Sequence, residues 1–256
     1  LAALHDGEQF IIENYTIGLM PSLALTDTRY TDLRQAPVLA MGASEFTDQP
    51  ALPAVPFELE TNVENLRTGT RDLNEQFTPD NLVALRSASE YQILHLATHG
   101  EFRSGGPENS YIQFWDQRLG LDQLRELQLN NPPLDLLVMR ACRTALGDTS
   151  AELGFAGLAV QAGGKSALAS LWQVSDLETA GLMTEFYTQL SQQPYKAEAL
   201  RQAQLAMLRG EVTVTDGVLQ WNGGSQPLPA DLVNLRFGDT RHPYYWAAFT
   251  LVGSPW

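Results

Sequence analysis

His99 and Cys142 are the residues of this 256-residue chain whose types and settings could do chemistry together. His99 comes at the end of YQILHLATHG, and Cys142, the only cysteine, ends LDLLVMRAC. Each segment is an apolar run of strand length with its reactive residue at the C-terminal end, and Gly100 and Gly147 follow within a few residues. In an open parallel sheet, ligands bind in the crevice beyond the carboxyl ends of the strands. Two such strands would aim a base and a nucleophile into one crevice, the arrangement of a cysteine hydrolase. A plainer reading stands beside it. A free cysteine on an apolar strand serves as a small buried hydrophobe, and a strand histidine as a hydrogen-bonded core residue. His95, in mid-strand, suits the second description, and residue positions do not decide the matter for His99 and Cys142.

The elements that must position these residues can be read along the chain. FIIENYTIGLMPSLALTDTR alternates weakly and predicts short strands or an edge hairpin. VLAMGAS (Val38–Ser44) predicts a buried strand, and Glu45–Pro56 an exposed loop. Pro56–Gly69 carries Phe57, Leu59, Val63 and Leu66 near helical spacing. TPDNLVALRSASE predicts a helix capped by Thr78, with Pro79 at its first position. After the His99 strand come a glycine-rich loop (Arg103–Ser110), a short strand YIQFWD and a short helix around LGLDQLRELQL. The Cys142 strand is followed by a small-residue helix ending at Gly163 and Gly164. KSALASLWQV predicts a buried strand, SDLETAGLMTEFYTQLSQQ and AEALRQAQLAMLRG two helices, Val214–Thr240 a loop, and YYWAAFTLVG a final strand. Strands alternating with helices call for a parallel or mixed sheet covered on both faces.

Bulk properties narrow the class. A hydrophobic content of 44% excludes a disordered chain. A single cysteine rules out an internal disulfide framework and suits a reducing compartment. With no signal-peptide pattern at the start and no apolar run approaching a membrane span, a soluble cytoplasmic protein with no membrane partner is expected. The net charge of −14, from 16 Lys+Arg against 30 Asp+Glu, argues against nucleic acid as a partner; such a surface would attract basic peptides or serve only for solubility. The chain lacks an initiator Met, as a fragment of a longer protein would.

Two other chemistries do not fit the residue spacing. His95, His99 and Glu101 lie close in sequence. In an extended strand, however, the two histidines would stand about 13 Å apart and could not share a metal, so no metal site is expected. AVQAGGKSA ends like a phosphate loop, yet Ala159 stands where the first glycine belongs and the turn follows a helix instead of a strand.

The strings LHLATHGEF, LLVMRACRTALGD, ELGFAGLAVQAGGKSALASLWQVSD, KAEALRQAQLAML and HPYYWAAFTLVGSPW, in this order, resemble the CHAT domain. That family of cysteine peptidases is related to caspases and separases. The likeness is strongest from Tyr91 to Trp256 and weaker upstream, where MPSLAL, LPAVPFELE and FTPDNL carry it. It implies a single caspase-like domain over 1–256, a three-layer α/β/α fold with a mostly parallel central sheet. Residues 1–90 would form its N-terminal part and 91–256 its catalytic part.

The resemblance also implies roles. His99 and Cys142 would be a catalytic dyad without an obligatory third residue, and the backbone N–H groups of Gly100 and Cys142 an oxyanion hole. SLWQVSD is similar to the separase segment whose Asp meets an arginine at the cleavage site. Asp176 would take that place, unless it only supports a helix N-terminus, and Asp148 is a second candidate. The implied substrate is a protein or peptide with a basic residue before the cut. No cofactor is implied, and TPR or other helical modules commonly precede such domains. One departure is plain: the family usually has Ser two residues before the Cys, and this chain has Arg140. A nearby cation would favour the thiolate. Equally, its bulk could block the cleft, or its guanidinium could fold into an acidic pocket as a substrate arginine would.

Overall fold

The computed structural model describes residues 1–20, 22–23, 26–102, 110–140, 143–144 and 163–256. Along these, the first strands are β1 (Val38–Gly42), β2 (Gly69–Leu73), β3 (Ile93–Ala97), β4 (Gly100–Phe102), β5 (Tyr111–Gln113) and β6 (Arg118–Gly120). They are followed by β7 (Leu136–Met139), β8 (Arg143–Thr144), β9 (Ser166–Ser170), β10 (Thr213–Thr215), β11 (Val218–Trp221), β12 (Gly224–Pro227) and β13 (Phe249–Gly253). The helices are α1 (Ile11–Asn14), α2 (Val55–Glu60), α3 (Pro79–Ala88), α4 (Asp176–Leu190), α5 (Lys196–Arg209) and α6 (Pro243–Trp246).

Six strands form the central sheet in the order β13-β9-β7-β3-β1-β2. Every pair in it is parallel except β13 with β9. Both faces are covered, so the strands read as continuous apolar runs. On β3, Ile93 and Ala97 belong to the core shared with α2, α4 and α5, whereas Leu94 and Leu96 belong to the opposite core with Leu82 of α3, Phe77 and Phe114. Val38 and Ala40 against Leu39 and Met41 repeat the alternation on β1. The fold is the caspase-like α/β/α architecture expected, with a mixed, mostly parallel sheet.

Local chemistry sets several boundaries. Thr78 Oγ1 accepts from the Asn81 amide, capping α3 with Pro79 in its first turn. Gly210 ends α5 at φ 71, the left-handed position that favours glycine. Gly69 opens β2 against Val38, where a Cβ would lie 2.0 Å from the Val38 carbonyl oxygen. Only glycine lets these two backbones approach so closely.

Other expectations are corrected. The stretch from Phe10 to Arg29 shows no strand or hairpin among its described residues, and an isolated antiparallel bridge joins Phe10 to His5. Residues 11–14 are one helical turn, and Leu19 makes a single parallel bridge to Val252 beside β13. Val214–Thr240 is not all loop, since β10, β11 and β12 form an antiparallel sheet there. Its strands are short and half-exposed, so no apolar run announces them. The helix expected over Pro56–Gly69 begins at Val55, continues as a π-turn over Thr61–Asn65, and yields to β2 at Gly69. YYWAAFTLVG starts as α6 before it becomes β13. Of the glycine-rich loop only Ser110 is described, and of the small-residue helix only its end, with Gly163 at φ 75.

Lys196 opens α5 fully buried, and its ammonium has no hydrogen-bond partner among the described residues. Burial pushes its pKa down from 10.5 to about 8, against the smaller favourable field of Asp135. The unfolded chain therefore binds more protons than the folded one between those values, and stability should rise with pH from about 8 to 10.5. Below that window the full penalty of burying the charge is present. Denaturant melts across this range should show the slope, and Lys196→Met should abolish it while stabilising the protein at neutral pH.

Candidate active site

The carboxyl ends of the central strands open into one cavity of about 270 Å³. It is lined by Pro50 from the loop after β1, His99 and Gly100 beyond β3, Arg140 at the end of β7, Ser170 ending β9, and Asp176 opening α4. The chain leaves β1 toward β2 on one side and returns to β3 on the other. The gap between β1 and β3 is thus a topological switch point, where such sheets bind ligands. Four of the six site residues expected from sequence, His99, Gly100, Arg140 and Asp176, meet here. Cys142 and Asp148 lie outside the described residues. Their flanks are described: the Arg140 amide donates to the Leu96 carbonyl at 3.2 Å, and Arg143 on β8 pairs in parallel with Glu101 on β4.

His99 lies two residues past β3, and its orientation comes from the loop after β1. Its Nε2 is 2.8 Å from the Pro50 carbonyl oxygen, and its ring packs on Phe46 with centroids 4.6 Å apart. A carbonyl oxygen only accepts, so Nε2 carries the proton and Nδ1 the lone pair of the neutral ring. An imidazole oriented by a backbone carbonyl is thereby set in the cavity wall. Across the mouth, Arg118 Nε donates to Gln113 Oε1 at 3.1 Å, its Nη2 pairs closely with Asp48, and its guanidinium lies 4.8 Å from the Tyr111 ring centroid. Burial raises the pKa of the Tyr111 phenol, which therefore stays neutral there.

Arg140 projects into a carboxylate cluster. Its Nε lies 2.9 Å from Glu58 Oε2, and its Nη2 donates to the Asp176 carbonyl at 2.5 Å and to Asp176 Oδ1. Asp176 also accepts from the Ala54 amide through Oδ2, 2.5 Å away, while standing in the first turn of α4. The Asp176 carboxylate thus bridges the Ala54 amide and a guanidinium supplied by the chain's own Arg140. Behind this layer Glu58 Oε1 is 3.0 Å from His95 Nε2, an ion-pair distance without hydrogen-bond alignment. His95 Nδ1 meets the Tyr187 hydroxyl at 3.0 Å, and the two rings stack. Burial pushes the Tyr187 pKa up, so its hydroxyl stays neutral and can donate to Nδ1. His95 is a core residue linking α2 to α4. It lies apart from the cavity lining, and no cluster of metal-ligating side chains occurs among the described residues.

Sequence reasoning missed Pro50 and Glu58. Pro50 acts through a backbone carbonyl, which no residue type betrays. Glu58 did leave a trace, as the lone charge between Phe57 and Leu59 on the apolar side of α2.

The fold and this strand-end cavity define a caspase-like α/β protein. The CHAT domain family model matches residues 1–254, and the chain belongs to that family, a caspase-like type of cysteine peptidase domain. No curated protein matches the chain. Among the described residues, no helix is long and apolar enough to cross a membrane.

Removing one partner of a buried ion cluster strands the rest. Glu58 is fully buried, and the Asp176 side chain keeps 15% of its surface exposed at the cavity edge. Glu58→Ala should therefore lower unfolding stability by ~3–5 kcal/mol in urea melts, and Asp176→Ala by clearly less. Equal losses would mean that Glu58 is not the anchor of the cluster.

Proposed function

We propose that this chain is a cysteine endopeptidase acting through His99 and Cys142, with preference for a basic residue, arginine above lysine, before the cut. The observation that supports it most is the setting of His99: a histidine of fixed tautomer, at the strand-end cavity, beside a carboxylate cluster already engaged with a guanidinium. In this mechanism the Cys142 thiol gives its proton to His99 Nδ1, and the thiolate sulfur attacks the scissile carbonyl carbon. The amides of Gly100 and Cys142 hold the resulting oxyanion. The imidazolium then protonates the leaving amine, and water hydrolyses the thioester with His99 as base. Asp176 supplies the charge that selects the basic side chain, with Asp148 as a second acid to examine. Arg suits such a site better than Lys because its planar fork reaches two acceptors at once.

We further infer that residues 1–256 form one catalytic domain of a cytoplasmic protein. A TPR or other helical module would bring substrate or regulator, and no nucleic acid, membrane, metal or cofactor would be needed. The five strings quoted above most resemble the C-terminal protease domain of cyanobacterial HetF.

A second reading is favoured by one observation. Arg140 occupies the position where the family usually carries Ser, and it pairs with Asp176. On that reading the domain is a catalytically silent interaction module. Fluorogenic peptides with Arg, Lys or Asp before the cut separate the two. A protease should lose turnover completely in Cys142→Ala and by about 10²–10⁴-fold in His99→Ala. Absence of turnover in the parent and in Arg140→Ser, with partner binding intact in Cys142→Ala, would favour the silent module.

A further inference from the structure

The cluster around Arg140 has the build of a binding site occupied by the protein's own side chain. Two carboxylates from different helices, Glu58 on α2 and Asp176 on α4, face one guanidinium, and the Asp176 carbonyl adds a third acceptor. The charges do not balance, with two acids against one cation. Nor are the donors all used: Arg140 Nη1 is buried without a hydrogen-bond partner among the described residues.

The acids are also held in place by contacts that do not involve Arg140. Asp176 Oδ2 takes the Ala54 amide, and Glu58 Oε1 faces His95, itself fixed by Tyr187. Asp176 thus keeps an anchor of its own when the guanidinium leaves, and Glu58 keeps His95 as its neighbour. Its occupant and one of its acids both line the cavity that contains His99.

We propose that Glu58 and the carboxylate and carbonyl of Asp176 form a subsite for an alkyl guanidinium, and that Arg140 is its resident occupant, competing with an arginine side chain from outside. That the outside arginine belongs to a cleaved peptide rests on the protease reading; the guanidinium socket itself does not. Glu58 becomes a specificity-determining residue beside Asp176. Arg140, entering from β7, keeps the subsite filled until a substrate arginine displaces it.

The test uses methylguanidinium as the probe and methylammonium as its control, with thermal unfolding as the readout in a Cys142→Ala background. Arg140→Ser is the informative variant, since serine is usual at this position in the family. Methylguanidinium should raise its melting temperature saturably, methylammonium should do so far less, and the Arg140-containing protein should show no such shift. Asp176→Asn added to Arg140→Ser should remove the effect. If Arg140→Ser does not fold, Glu58→Gln with Arg140→Ser relieves the stranded buried charge and should still show a smaller saturable shift. No shift in the folded variant, or an equal shift with Arg140 present, overturns the proposal.

Peptide hydrolysis separates this proposal from the protease reading. With Cys142 intact, Arg140→Ser should raise kcat/KM for arginyl peptides about tenfold or more, the scale of a competing charged hydrogen bond. Equal cleavage by parent and variant overturns the resident-occupant proposal and leaves the protease standing. Methylguanidinium binding without cleavage by any variant upholds the socket and counts against the protease.

Discussion

The cavity is organised around one buried cation. Arg140 leaves the end of β7 and enters a space whose other walls are the start of α4 and the middle of α2. Taking a guanidinium and a carboxylate out of water costs several kcal/mol for each ion before any attraction is counted. Such a group persists only where its partners are already fixed. Here Glu58 is placed by a helix whose flanking residues, Phe57 and Leu59, are core, and Asp176 by the Ala54 amide and the first turn of α4. The interaction is less a weld between elements than a consequence of elements that packing has already put in place.

The layer behind it explains how a carboxylate can sit fully buried on α2. Glu58 faces Arg140 on one side and His95 on the other, and His95 leans on Tyr187. Because β3 alternates strictly, His95 shares the face of Ile93 and Ala97 and reaches α2 and α4. His99, beyond the strand end, turns instead to the loop after β1. Four residues along one segment thus separate a histidine that supports the wall from one that faces the cavity. The sheet's period of two and the end of the strand set that division.

What could be read from sequence follows the same physics. Runs such as VLAMG and ILHLA betray themselves because both faces of the sheet are covered, and α3 announces its start through Thr78 and Pro79. The β10–β12 sheet was illegible: Gln220 and Gly224 to Pro227 are polar or exposed, and their pairing is a tertiary outcome. The candidate site was legible where side-chain type carries the chemistry, as for His99, Arg140 and Asp176. It was not legible where the contribution is a carbonyl, as at Pro50, or where a charge lies hidden in an apolar helix face, as at Glu58. The pairing of Arg140 with Asp176 had a sequence trace only as one of three fates for a large cation two residues before Cys142. Deciding among them needed the position of α4.

For the proposed cysteine mechanism, the Pro50 carbonyl would be partner enough for His99. A serine hydroxyl is a far weaker acid than a thiol, so a serine site leans on a carboxylate to stabilise the imidazolium that forms. A thiol with an ordinary pKa near 8.5 transfers its proton to imidazole at little cost, and the cation and thiolate then stabilise each other. What remains necessary is direction: the ring must present Nδ1 and keep its proton on Nε2. A backbone carbonyl does this without adding a charge to the cavity. Glu58 and Asp176 are gathered around the guanidinium of Arg140, whereas His99 Nε2 faces the Pro50 carbonyl, and Asp48 pairs with Arg118 at the mouth. On the proposed mechanism, proton transfer and charge selection would fall to separate walls of the same cavity, one built on the loop after β1 and the other on α2 and α4.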